Sequence, residues 1–164
     1  MKYLKLYENW NPLSDEDLDS AQELNLIGVV SDKELSELKK LRQVEQRIIR
    51  YNGVGSLNLE YCTLLKSLPA GLKVGGSLFL NQCTGLESLP ADLVVDGDLT
   101  LGGCTGLKSL PAGLKVGGSL FLNQCTGLES LPADLVVDGD LDLGGCNRLK
   151  SLPADLKIGG KIYR

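Results

Sequence analysis

The sequence predicts a repeat solenoid, a mainly β, parallel β-solenoid that follows an N-terminal helical cap. The first observation is an internal duplication: residues 65–99 and 107–141 are identical over 35 positions, at a shift of 42. The second is a shorter period of 21 residues, on which Leu-Pro pairs and cysteines recur. The third is a change in composition near residue 52, because only Gly28 of the 20 glycines lies before it. A period of this length is typical of solenoids, whose coils bury their apolar faces against one another.

These observations divide the chain into residues 1–52, a helical capping region, and residues 53–164, a solenoid of five 21-residue repeats and a partial sixth. In the first region Ser14 predicts a helix cap, with a helix as far as about Leu26. Ser31 and Glu34 form a capping-box pattern that predicts a second helix, ending near Arg50. Its apolar residues recur at spacings of three and four: Leu35, Leu38, Leu41, Val44 and Ile48.

The capping region has two interpretations. The first is that its apolar stripe covers the first coil of the solenoid, as repeat arrays require. The second is that the two helices bind a partner or self-associate. Residues 1–10 alternate in polarity, which favours an extended segment before the first helix.

Within one coil, apolar and small residues alternate from Leu72 to Leu80, which is the period of a strand. The pair Gly75-Gly76 interrupts this alternation and predicts a corner between a short strand at 72–74 and a main strand at 77–80. Pro69 cannot donate a hydrogen bond to a sheet, so its stretch is predicted to be a turn. Equivalent residues of stacked coils then lie about 4.8 Å apart.

One coil carries a pattern of leucines around a cysteine: Leu78-x-Leu80-x-x-Cys83-x-x-Leu86-x-x-Leu89-Pro90-x-x-Leu93. Over residues 53–164 this pattern resembles the leucine-rich repeat of the bacterial Leu-Pro type, and the start of the chain resembles phage-encoded proteins. The family usually has a leucine where this chain has Gly75, and asparagine where it has cysteine. A flatter two-sheet β-solenoid is therefore the alternative to the family's horseshoe.

The resemblance implies a partner-binding face on the main sheet. Phe79, Thr100 and Phe121 lie between strand leucines, so their side chains are predicted to point outward, with the two rings on either side of a gap at Thr100. Three carboxylates are predicted to form an acidic rim around this gap: Asp98, Asp140 and Asp142. The alternative interpretation is that the rings only cover the sheet.

The cysteines occur once per coil: Cys62, Cys83, Cys104, Cys125 and Cys146. A straight row cannot surround a zinc ion, which needs four converging ligands. The resemblance implies that this position faces inward, which makes the row a structural ladder. A row of charged residues, one per coil, alternates in sign: Lys66, Glu87, Lys108, Glu129 and Lys150. Opposite charges in neighbouring coils are predicted to attract and so to favour in-register stacking of the coils.

The composition argues against several classes of function. The chain has no histidine, phosphate-binding loop or nucleophile–base set, so we expect no enzyme and no cofactor or metal. The net charge of −4 offers no basic face for nucleic acid. No apolar run is long enough for a membrane span or a signal peptide, which indicates a cytoplasmic protein with reduced thiols.

The predicted function is therefore a non-enzymatic scaffold that recognises a protein partner, of unknown identity, through its main sheet. The alternative is a structural solenoid that self-assembles through its ends, and the chain is expected to be a monomer or a weak dimer through its C-terminal edge. Ice binding is a remote third function, since threonine recurs at Thr63, Thr84, Thr105 and Thr126.

Overall fold

The computed structural model describes residues 13–164 and shows two helices followed by a parallel β-solenoid of about five turns. Helix α1 spans Asp15–Leu26 and helix α2 spans Asp32–Arg50. The predicted extended segment at residues 1–10 lies outside the described residues.

Both helices begin at the predicted capping serines. The Ser31 hydroxyl accepts a hydrogen bond from the Glu34 backbone N–H at 3.3 Å, and Glu34 Oε2 accepts one from the Ser31 N–H at 2.9 Å. Ser14 and Asp17 form the same reciprocal pair. The side chains thus satisfy backbone groups that have no partner within the helix, which is why both helices begin where the sequence predicts.

The solenoid consists of two parallel sheets, with strands numbered in chain order. The main sheet has six strands: β1 (Leu57–Asn58), β3 (Leu78–Phe79), β5 (Leu99–Thr100), β7 (Leu120–Phe121), β9 (Leu141–Asp142) and β11 (Ile162–Tyr163). The second sheet has five: β2 (Lys73–Val74), β4 (Val94–Val95), β6 (Lys115–Val116), β8 (Val136–Val137) and β10 (Lys157–Ile158).

Each strand pairs with the equivalent strand one coil away, so Leu78 lies beside Leu57 and Leu99. Both sheets repeat at the hydrogen-bonded strand spacing, about 4.8 Å. The arrangement is therefore a solenoid with two parallel sheets, to which each coil contributes short strands.

A Gly-Gly or Asp-Gly pair forms the corner between the two strands of a coil, and its second residue is always glycine. A Cβ atom on Gly97 would lie 2.8 Å from the carbonyl carbon of Gly76 in the preceding coil. Adjacent backbones approach so closely here that only glycine fits, which explains why the predicted corner keeps this residue in every coil.

A single apolar core runs the length of the molecule and consists mainly of the inward leucines of the strands and turns. Leu41, Val44 and Ile48 of α2 belong to the same core as Leu59 of the first coil. Polar contacts fix this packing: Thr63 Oγ1 donates to Glu37 Oε2 at 2.6 Å, and Arg47 Nη1 donates to the Asn58 carbonyl at 3.2 Å. Helix α2 therefore covers the first coil.

Of the helices within residues 13–164, neither combines the length and the apolar character that crossing a membrane would require.

Candidate functional site

The outward side chains of the main sheet form one row, which we call the main-sheet row. Each is the second residue of its strand and follows a leucine or isoleucine. The four central members are half-buried and the two terminal members are exposed. The row consists of Asn58, Phe79, Thr100, Phe121, Asp142 and Tyr163.

Thr100 lies between two phenylalanines in this row, because it pairs in register with Phe79 on one side and Phe121 on the other. At the spacing of parallel strands, the two rings are about 9–10 Å apart. The small side chain leaves a shallow depression of about 470 Å³, whose lining includes Thr100 and Phe121. The structure thus places the predicted rings and the predicted gap side by side.

The hydroxyl of Thr100 is buried and has no hydrogen-bond partner within residues 13–164. A hydroxyl removed from water without a partner is unfavourable by about 1–3 kcal/mol. Because this oxygen is buried, it lies beneath the surface of the depression and is not exposed within it.

Amide and aromatic side chains and one glycine complete the lining, and the sequence did not single them out: Tyr61, Asn81, Gln82, Gly102 and Asn123. They could have been found from the 42-residue period, since Asn81 and Asn123 alternate with glycines at the same position of the intervening coils. A Cβ atom on Gly102 would lie 2.9 Å from Asn123 Oδ1, so a larger residue would displace the amides on either side of it.

The three predicted rim carboxylates each accept a hydrogen bond from the backbone. Asp98 Oδ1 accepts from Ser119 N at 2.7 Å, and Asp140 Oδ1 accepts from Lys161 N at 2.7 Å. Asp142 Oδ1 accepts from Gly144 N at 2.9 Å. One oxygen of each carboxylate is thus used within the solenoid. Asp142 belongs to the main-sheet row itself, and none of the three carboxylates is among the residues that line the depression.

Asp98 and Asp140 belong to a longer series, which we call the Ser/Asp ladder. Each member accepts a hydrogen bond from the backbone N–H of the equivalent residue in the next coil, at 2.7 to 3.0 Å. From Ser77 onward serine and aspartate alternate at this position, so two side-chain types perform the same task. The ladder consists of Ser56, Ser77, Asp98, Ser119 and Asp140.

The five cysteines form a second ladder in the interior, and all of them are buried and free. Cys104 Sγ donates to the Leu80 carbonyl of the preceding coil at 3.1 Å, and three other cysteines make the same contact. Burial raises the pKa of Cys83 to about 11 and the pKa of Cys125 to about 12. These groups therefore remain thiols at neutral pH, and a thiol is neither a strong nucleophile nor a metal ligand.

In the described part of the chain, no three histidine, cysteine, aspartate or glutamate side chains are grouped so that they could hold a metal ion.

The charged row predicted on the turns is partly paired. Lys66 Nζ lies 2.7 Å from Glu87 Oε1, and the hydrogen bond from Lys66 holds the pKa of Glu87 below its usual value. Glu129 instead lies 3.6 Å from Arg148, a residue outside the predicted row. Because these side chains are largely exposed, such pairs contribute about 0–1 kcal/mol.

Comparisons of the chain with models of known protein families, with curated proteins and with solved structures found no match. Any function proposed for this protein therefore rests on the fold and the surface chemistry of the described residues.

Proposed function

We propose that this protein is a non-enzymatic scaffold of leucine-rich-repeat type whose main sheet recognises a protein partner. The observation that supports the proposal is the depression at Thr100, which the half-buried Phe121 lines, while Phe79 pairs with Thr100 on its other side. Aromatic side chains in such positions dominate the energetics of many protein interfaces, because they bury a large apolar area and lose little conformational entropy.

The surroundings of the depression favour a preorganised surface. The strands beneath it are hydrogen-bonded on both sides, and the Ser/Asp ladder and Asn81 hold the neighbouring rows in place, with Asn81 Oδ1 accepting from Gly102 N at 2.8 Å. A surface that does not need to order itself on binding loses less free energy in association.

The environment we propose is the cytoplasm of a bacterium or of a phage-infected bacterium. Five free thiols suit a reducing compartment, since secreted proteins of this cysteine content usually contain disulfides. The bacterial or phage origin rests on the resemblance of the repeat and of the first residues.

The test compares binding by two faces of the same solenoid. The immobilised parent chain and the variants F79S/F121S and K73S/K115S would be exposed to proteins of the source cell. We expect a partner that the parent retains to bind F79S/F121S at least about tenfold more weakly, and K73S/K115S as well as the parent. Equal binding by all three would overturn the assignment of the main sheet.

A second candidate function is self-assembly through the ends of the solenoid, and one observation favours it. Strands β10 and β11 each pair on one side only, and Ile162 and Tyr163 are 43% and 49% exposed. An unpaired strand can hydrogen-bond to a strand of another molecule. Replacing Ile162 by proline should then abolish association and leave binding by the main sheet unchanged.

A further inference from the structure

The main-sheet row alternates between large and small side chains with a step of two coils, as Phe79, Thr100 and Phe121 show. Its neighbouring rows alternate with the same step, because the underlying sequence repeat has 42 residues and each coil has 21. We call the coils that contain β1, β5 and β9 odd and those that contain β3, β7 and β11 even. In the main-sheet row the odd coils carry small side chains and the even coils carry rings, so the two kinds of coil present complementary surfaces.

A second copy of the chain can use this alternation. A two-fold axis parallel to the strands brings two main sheets face to face and reverses the order of the coils, so that isologous contacts form. If the axis lies midway between β5 and β7, each β5 faces the β7 of the other copy. The outer strands then pair as β3 with β9 and β1 with β11, and all six strands are covered.

In this arrangement Phe121 of each copy lies opposite Thr100 of the other. The ring can enter the depression that Thr100 leaves, and the contact occurs twice because of the symmetry. Phe79 then faces Asp142, and Tyr163 faces Asn58. Aligned packing of twisted sheets rotates the outer pairs away from one another, but the two central contacts lie next to the axis and are preserved.

The neighbouring rows also match. Asn123 lies opposite Gly102 of the second copy, so a large amide meets the position with the smallest side chain. In the Ser/Asp ladder, Asp98 faces Ser119 and Asp140 faces Ser77, so each ladder carboxylate meets a neutral hydroxyl. Other positions of the axis are less favourable. If the axis is moved but still places odd coils opposite even coils, fewer strands face each other. If it places coils of the same kind opposite each other, a ring faces a ring.

We infer that the partner of the main sheet is a second copy of this chain, bound in a symmetric dimer with Phe121 in the depression at Thr100. The inference rests on the proposed function, whose binding face it uses. With the residues that flank the two-residue strands included, a face six strands wide and about four residues long covers on the order of 400 Å² per copy. A standard interface covers about 800 Å² per partner, so the dimer should be weak, with a dissociation constant between micromolar and millimolar.

The test exchanges the ring and the gap. Sedimentation equilibrium of the parent, T100F, F121T and T100F/F121T would be measured up to about 1 mM protein, the range of a weak complex. T100F places two rings opposite each other and F121T leaves two gaps, so each should weaken the dimer by about tenfold or more. The double variant has the ring at residue 100 and the gap at residue 121, so each ring again faces a gap. It should restore association to within about threefold of the parent.

Control variants separate a lost interface from a damaged fold. V94F adds a ring at an exposed position of the second sheet and should leave the dimer unchanged. Each variant should keep the circular dichroism spectrum and cooperative unfolding of the parent.

Three outcomes overturn the inference: a parent that stays monomeric at about 1 mM, a dimer that T100F and F121T leave intact, or a double variant no better than the single ones. If the parent is monomeric but F79S/F121S still abolishes binding to another protein, the self-pairing fails and the proposed function stands. If neither association nor binding depends on these residues, both fail.

Discussion

Asp98 Oδ1 accepts a hydrogen bond from the backbone N–H of Ser119, a residue 21 positions later, at 2.7 Å. In the preceding coil the hydroxyl of Ser77 performs the same task for the N–H of Asp98, at 3.0 Å. A carboxylate and a hydroxyl thus occupy equivalent positions and join successive coils where the chain turns into the main strand.

The first prediction concerns this ladder. Asp98→Ala should destabilise the protein by about 1–2 kcal/mol, because the partly buried N–H of Ser119 loses its acceptor. Asp98→Ser should destabilise the protein by less than half of that amount, since a serine hydroxyl already accepts the equivalent hydrogen bond in the adjacent coils. Urea denaturation of the two variants and the parent measures the difference. Equal destabilisation by alanine and serine would show that the hydroxyl does not replace the carboxylate.

The second prediction concerns the cysteine ladder. At pH 8 the native protein should react with a thiol reagent far more slowly than the denatured protein, which should expose all five thiols. Burial raises the pKa of Cys62 and of Cys125 to about 12, so little thiolate is present and the reagent has little access. The measurement is a spectrophotometric thiol titration with and without denaturant. Rapid reaction of the native thiols would contradict the inward position, and fewer than four in the denatured chain would indicate disulfides.

The third prediction compares two residues of helix α2. Leu41→Ala should destabilise the protein by about 2–4 kcal/mol, because this side chain is 1% exposed and its loss leaves a cavity against the first coil. Ile49→Ala, at a residue that is 54% exposed, should change stability by about 0.5 kcal/mol or less. Thermal unfolding checks both values.

Removal of residues 1–50 extends the same argument, since it exposes the apolar edge of the first coil and should cause aggregation. A fragment 53–164 that is monomeric and melts like the parent would show that the helices are a separate module.

The fourth prediction concerns pH. Glu45 is buried in α2, and this burial raises its pKa from 4.5 to about 7 although its Oε2 accepts a hydrogen bond from Leu13 N. Between these two values the folded chain keeps a proton that the unfolded chain releases. The contribution of Glu45 to stability is therefore fully present below pH 4.5 and is lost as the pH rises through 7.

Glu45→Gln should remove this dependence. The variant should match the parent near pH 5 and exceed its stability above pH 7 by about 1–3 kcal/mol. Glu37→Gln is the matched control on the same helix, because the hydrogen bond from Thr63 lowers the pKa of Glu37 and its loss should instead destabilise the protein at neutral pH. Melting temperatures between pH 5 and pH 8 test both, and a parallel response of the parent and Glu45→Gln would contradict the prediction.

The sequence predicted a short strand, a corner and a main strand in each coil because the relevant signals are local. Alternation around Leu78 identifies a strand, Gly75-Gly76 identifies the corner, and Ser31 with Glu34 identifies the start of α2. Each signal depends on the conformational preferences of a few consecutive residues. The strand and corner signals recur every 21 residues, which makes their assignment to a repeated coil unambiguous.

The side-chain partners were harder to predict, even where the period identified the neighbours. Lys66 pairs with Glu87 as the stacked coils predict, but Glu129 lies near Arg148. Long charged side chains can reach several partners of similar energy, so the choice depends on rotamers and not on the position in the repeat.

By itself the sequence determined the repeat, the strands and helices, and the residues that face inward or outward, because each coil must bury one apolar face against its neighbours. Only the tertiary structure decided what the outward polar side chains do. The sequence predicts that Asp98 is a charged surface residue, yet the stacking of the coils brings the backbone N–H of Ser119 to its carboxylate. The depression at Thr100 likewise exists only when three coils lie side by side, since residues 21 apart come into contact through the stack and not through the chain.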